Sequence, residues 1–143
     1  MDSQTLSNPG WFRVAAHALV VLAETDGVCT STTIAQELKA HATFLRRVMV
    51  QLVQAGIVVA REGRVGGYRL ARPAESITLA EVYRAILPVC HGESSATREI
   101  GNARVQHVLS EVSTELEQSL LSILERYTIA SMMEISQPAT PLS

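Results

Sequence analysis

Residues 31–72 read STTIAQELKAHATFLRRVMVQLVQAGIVVAREGRVGGYRLAR, and the fold is decided there. Thr30 and Ser31 precede TTIAQELKA as helix caps, because a hydroxyl at that position accepts from an unpaired first-turn amide. Ile34, Ala35 and Leu38 form the inner stripe of this short helix. After a tight break at Ala40 and His41, a second helix is expected over 42–54. Its apolar residues Leu45, Val48, Met49, Leu52 and Val53 recur at the i, i+3, i+4, i+7, i+8 spacing of a one-sided helix. Gly56 stops it, since glycine enters the left-handed cap conformation without a Cβ penalty. IVVAR and YRLAR are β-rich and flank the turn-rich EGRVGG, which makes a hairpin. Two short helices around a tight break, followed by a hairpin, predict a winged helix-turn-helix: mainly α with a small β wing.

Upstream, Asn8 caps a helix with Pro9 in its first turn. That helix reads WFRVAAHALVVLAE and stops before Asp26 and Gly27. It is apolar nearly all round after Arg13, so burial on more than one side is expected, with His17 a satisfied core histidine. Downstream, Thr78-Leu79-Ala80-Glu81 fits a capping box, in which the threonine caps and the glutamate reaches back. The helix it starts is expected to end near Ile86, before Pro88, with a loop from 88 to 101. A long helix is then expected over 102–133, with Val105, Val108, Val112, Leu116, Leu120, Ile123 and Tyr127 as its apolar stripe. A helix of ~30 residues spans ~45 Å, more than one small domain can cover. The stripe is therefore assigned to dimerisation with a second copy; packing back on its own domain is the alternative. The domain reading is a winged helix-turn-helix over 8–90, a linker and long dimerisation helix over 91–136, and disordered tails at 1–7 and 137–143.

The chain of 143 residues has a formal net charge of −2, which alone does not suggest a nucleic-acid partner. Its distribution does. From 39 to 72 stand Lys39, Arg46, Arg47, Arg61, Arg64, Arg69 and Arg72, against Glu62 as the single acid. A basic patch confined to one supersecondary unit is the footprint of a phosphate backbone, so duplex DNA is the expected partner. On the second helix of the pair, Thr43 and Arg47 point away from the apolar stripe and are the candidates for base contact, flanked by Phe44 and Gln51. Arg46 is assigned to a phosphate. In the wing, Arg64 at the tip suits the minor groove, Arg61 and Arg69 suit phosphates, and Gly63, Gly66 and Gly67 let the backbone turn tightly and approach DNA. Tyr68 sits either against a phosphate or in the core at the base of the wing. His41 caps its helix poorly or meets a phosphate.

Hydrophobic residues make up 47% of the chain, enough to build a core, and no run of 18 apolar residues suggests a membrane span. With no arginine-flanked apolar leader, a reducing cytoplasm is expected. The two cysteines, Cys29 and Cys90, are too few for a disulfide framework. Cys29 reads as structural. Cys90, next to His91, reads as either an ordinary cysteine or a redox-sensing thiol. Zinc shared by Cys90, His91 and His107 meets no ligand spacing, and no metal is assigned. Enzymatic readings fail: the only aspartates are Asp2 and Asp26, and GRVGG lacks the lysine and hydroxyl of a phosphate-cradling loop. The reading from another class is a dimeric adaptor whose winged helix binds protein.

The segment AREGRVGGYRLARPAESITLAEVYRAI resembles the signature of the Rrf-two family of transcription regulators, the family of IscR, NsrR and CymR, through its wing GGYRLARP, the capped ITL and the EVYRAI that follows. IAQELKAHATFLRRVMVQLVQAGIV resembles the family's helix-turn-helix, and RRVM with VYRAI leans toward the YwnA-like branch, which lacks a cluster. The resemblance covers residues 12–86 in detail. It implies a homodimer with crossed C-terminal helices, each packing on the partner's first helix, and binding to a pseudo-palindromic operator, with repression as the expected outcome. It also implies an iron–sulfur cluster on three cysteines before the long helix. Here that loop holds only Cys90, so no cofactor is assigned, and the effector, small molecule or redox, is left unassigned.

Overall fold

The structure is a computed structural model that describes residues 10–25, 27–64, 66–91 and 101–136, with the side chains of 88–91 and 136 left aside. Six helices and a two-stranded sheet follow one another as α1 (Gly10–Glu24), α2 (Ser31–Leu38), α3 (Ala42–Gln54), β1 (Val58–Arg61), β2 (Gly67–Leu70), α4 (Leu79–His91), α5 (Ala103–Leu124) and α6 (Ile129–Ser136). A 3₁₀ turn, Ala74–Ser76, joins the sheet to α4.

α1 is the centre of the body and packs against α2, α3, α4 and α6. Its Ala15, Ala16, Ala18, Leu19 and Leu22 are buried. Small residues on this face let neighbouring helices approach closely, while Leu19 and Leu22 fill the space with Ile34, Leu45, Met49, Leu52 and Ile86. Among the described residues no polar side chain is buried, so the core is held by apolar contact, each fully buried leucine or isoleucine contributing ~1.5–3 kcal/mol. His17 departs from expectation. It is exposed, and its Nδ1–H donates to the Arg13 carbonyl at 2.7 Å. Arg13, His17 and Glu24 share one outward face, so the apolar neighbours of His17 in sequence are not its neighbours in space.

The turn between α2 and α3 is three residues long. Lys39 caps α2 in the left-handed region at φ 54°, its amide reaching back to the carbonyls of Ala35 and Gln36. α3 follows His41, which stands at the cap position without a side-chain cap bond, and runs from Ala42 to Gln54 as expected. β1 and β2 pair antiparallel with Val58 opposite Leu70 and Arg61 opposite Gly67. Cys29 adds a third rung: its amide donates to the Tyr68 carbonyl at 2.9 Å and accepts from the Tyr68 amide at 2.8 Å through its own carbonyl. β2 thus lies between β1 and the segment after α1.

Two expectations about the second half are corrected. α4 does not stop before Pro88; it continues to His91. Proline removes one ladder bond, to the carbonyl four residues earlier, and its ring crowds that carbonyl, yet the helix runs on past it. The helix expected over 102–133 is two helices. α5 ends at Leu124, the chain turns, and Thr128 caps α6: its Oγ1 accepts from the Ser131 amide at 3.1 Å, and its amide donates to Ser131 Oγ at 2.8 Å. At that turn Thr128 bridges Thr78, with the Leu79 amide on the Tyr127 carbonyl at 2.9 Å and the Ile129 amide on the Ile77 carbonyl at 3.0 Å. α6 then packs on α1 with Ile129 fully buried, so part of the apolar surface of α1 is covered by its own chain. The tails expected at 1–7 and 137–143 lie outside the described residues, as does the cap at Asn8.

Candidate nucleic-acid interface

The capping box at the start of α4 fixes where the wing ends. Thr78 Oγ1 accepts from the Glu81 amide at 3.2 Å, and Glu81 Oε2 accepts from the Thr78 amide at 3.0 Å. Glu81 Oε1 also takes the Arg72 guanidinium at 2.9 Å. Burial pushes the Glu81 carboxyl up, but the Thr78 amide and Arg72 outweigh it and hold the pKa below its ordinary value. Arg72 is thereby paired within the chain at a half-buried position, unlike the other arginines of the patch.

The remaining basic side chains of the patch face solvent. Arg46 and Arg47 on α3, and Arg61, Arg64 and Arg69 in the wing, are exposed, and none forms a salt bridge among the described residues. Thr43 is exposed on the first turn of α3, one face away from the buried Leu45, Val48, Met49 and Leu52. Gln51 is half-buried on the flank of the helix. Phe44 is not free to meet a ligand with its whole ring: it packs on Trp11, with ring centroids 4.2 Å apart and planes at 52°. The Arg47 guanidinium carbon lies 5.0 Å from the centroid of the same indole. Trp11 was absent from the sequence-based candidates. It lies 33 residues before Phe44 in the chain, and only the packing of α1 on α3 brings the two together.

The wing glycines have a reason that is internal to the fold. A Cβ on Gly67 would stand 2.5 Å from the Cys29 carbonyl oxygen, and one on Gly66 would stand 2.8 Å from that of Arg61. Both positions let the hairpin close on its own neighbours. Tyr68 is half-buried against the core while its backbone pairs with both Ala60 and Cys29, which favours the base-of-the-wing reading of its ring.

Along α5 no residue is buried. Val105, Val108, Val112, Leu116, Ile123 and Tyr127 are 41–59% exposed, and Leu120 is half-buried. The stripe therefore does not pack on its own chain, apart from the C-terminal end of α5, which lies on α4 and carries the Arg84–Glu125 pair at 3.3 Å. His107 pairs with Glu111 on the same helix at 3.2 Å. No group of three metal-ligating side chains occurs among the described residues. No helix there is long and apolar enough to cross a membrane.

The Rrf2 family, described as an iron-dependent transcriptional regulator, matches residues 11–135. The HTH-type transcriptional regulator IscR of Cereibacter sphaeroides is 26% identical over 144 residues, covering 95% of this chain and 93% of its own length. YwgB of Bacillus subtilis is 31% identical over 110 residues, covering 68% of this chain and 69% of its own. Among solved structures, IscR of T. potens superposes with a TM-score of 0.70 at 20% identity, covering 99% of this chain and 96% of that one. CymR, the global cysteine regulator of B. subtilis, superposes at 0.68 and 19% identity, covering 92% and 99%.

The iron in the family description meets a poor donor set. An iron–sulfur cluster is held by thiolates, and the whole sequence has two cysteines. Cys29 is 5% exposed beneath the wing, its backbone is spent on Tyr68, and burial pushes its thiol up, against a smaller lowering by Thr25. A thiol so placed is a poor nucleophile and a poor ligand. The Cys90 side chain, with its redox reading, and residues 92–100 lie outside the described residues. The residues present do not fit the cluster, yet the family's pattern runs through helix-turn-helix, wing and C-terminal helices alike, and the chain belongs to the Rrf2 family of DNA-binding transcriptional regulators.

Proposed function

We propose that this protein is a cytoplasmic homodimer, without enzymatic activity, that binds a pseudo-palindromic operator and represses transcription by occluding the promoter. The observation that carries the reading is that Arg46, Arg47, Arg61, Arg64 and Arg69, all on α3 and the wing, are exposed and form no ion pair among the described residues. In that reading Thr43 and Arg47 reach base edges in the major groove, with Phe44 and Gln51 flanking. Arg64 enters the minor groove, and Arg46, Arg61 and Arg69 hold phosphates alongside the Gly66–Gly67–Tyr68 backbone. The exposed stripe of α5, from Val105 through Leu120 to Ile123 and continued by Tyr127 in the turn that follows, supports pairing of two copies, which would set two copies of α3 on groove faces ~34–36 Å apart.

Genomic footprinting with the purified protein supplies candidate promoters, and binding to those duplexes is then followed as salt is raised. The expected result is affinity that falls steeply and linearly in log–log form as counterions are released. Undetectable affinity for every duplex at ~50 mM salt would instead point to a protein-binding adaptor.

A further inference from the structure

We infer that Trp11 is a specificity-determining positioning residue, whose indole at the start of α1 holds the Arg47 guanidinium in place on α3 before DNA arrives. The inference rests on the reading of α3 as the recognition helix. Its geometry is a three-residue cluster: Phe44 tilted against the indole at 4.2 Å between centroids, and the Arg47 guanidinium carbon 5.0 Å from the centre of the same ring.

Anchoring of α3 does not explain this cluster. Leu45, Val48, Met49 and Leu52 are all 0% exposed and already seat the helix on the body, whereas Trp11 and Phe44 are only half-buried. What the indole adds is a platform for a cation. A free arginine on a helix surface samples many rotamers and loses that freedom when it binds. An arginine resting over an indole, the strongest of the aromatic faces for a cation, has surrendered much of it beforehand. The side chain of Arg46, its neighbour in sequence, makes no ring contact, hydrogen bond or ion pair among the described residues. The two adjacent arginines are thus prepared differently. Arg47 is pre-oriented, which suits the two fixed acceptors of a guanine edge, and Arg46 is adaptable, which suits a phosphate.

The test is a double-mutant cycle on the full chain. The probes are a duplex that the parent protein selects from a random pool and a random-sequence duplex of equal length. Trp11→Leu keeps an apolar body against Phe44 without a π face, and Trp11→Phe keeps a face. The ratio of selected to random affinity should fall about 5-fold in Trp11→Leu and recover largely in Trp11→Phe. In an Arg47→Ala background, Trp11→Leu should change nothing further. Independent, multiplying effects of Trp11→Leu and Arg47→Ala would overturn the inference and leave Trp11 as packing alone. If melting curves show that Trp11→Leu does not fold, Trp11→Phe carries the same cycle, with a loss of about 2-fold that vanishes in Arg47→Ala. A parent protein that selects no duplex overturns the reading of α3 itself, an outcome distinct from multiplying effects in a parent that does select one.

Discussion

The Arg72 guanidinium donates to Glu81 Oε1 at 2.9 Å, so the residue that closes the wing is tied to the first turn of α4. Glu81 in turn caps Thr78 through its other oxygen. Removing the carboxylate frees an amide and an arginine together, and Glu81→Ala should cost about 1–2 kcal/mol in urea unfolding. The acid dependence has a definite sign. The folded-state pKa of Glu81 lies below its unfolded value, so its contribution is complete above about pH 4.3 and is lost as pH falls through the folded value. Glu81→Gln should therefore be less stable than the parent at neutral pH and lose less on acidification. Parallel stability curves for the two proteins below pH 4.3 would refute this role.

The wing root leaves no room for a side chain at Gly67. Gly67→Ala places a methyl 2.5 Å from the Cys29 carbonyl oxygen and must push apart the Cys29–Tyr68 rung, at a cost of about 1–3 kcal/mol. Gly10→Ala is the control, since nothing lies within 4 Å of its Cβ position. It should stay within about 0.5 kcal/mol of the parent in the same denaturant titration.

In the proposed binding mode the exposed arginines divide by what they would touch. Arg47→Ala should cost about 1–3 kcal/mol of discrimination at one base position, and Arg64→Ala should weaken binding where the wing lies. Arg61→Ala and Arg69→Ala should each lower the slope of log affinity against log salt by about 0.9, with sequence preference kept. Titrations of each variant against one operator at several salt concentrations separate the two classes. Parent-like binding by Arg47→Ala and Arg64→Ala together would remove the assignment.

On α5, Leu116 is 59% exposed in the middle of the apolar stripe. Leu116→Glu should leave the monomer's circular dichroism unchanged while shifting sedimentation from dimer to monomer. Operator affinity should drop with it, because each half-site contact then binds alone. A variant that still sediments as a dimer would show that the stripe is not the seam.

Much of the fold could be read from residue spacing, and the misreadings share one physical cause. The buried face of α3 repeats at helical spacing and Gly56 ends it, so its limits follow from local chemistry. The wing follows in the same way from two β-rich runs on either side of a glycine-containing turn. The break after Leu124 does not, because Ile123 and Tyr127 keep a four-residue spacing straight through it. The signal that was present is Thr128 followed by Ser131, a polar cap spaced like Thr78 and Glu81. Trp11 carries no local mark at all. Its contact with Phe44 and Arg47 exists only because α1 lies against α3, and a periodicity within one helix says nothing about which helix lies beside it.

The bridge between Thr78 and Thr128 has a mechanical consequence. α5 is a shaft of 22 residues, ~33 Å long, and its C-terminal end is clamped to the segment that leads from the wing into α4. Torque applied anywhere along the shaft has its fulcrum at Ile77 and Leu79, and those residues are sealed in the core. A twist of the shaft would reach the neighbouring 3₁₀ turn and, through Arg72 and Glu81, the hairpin itself.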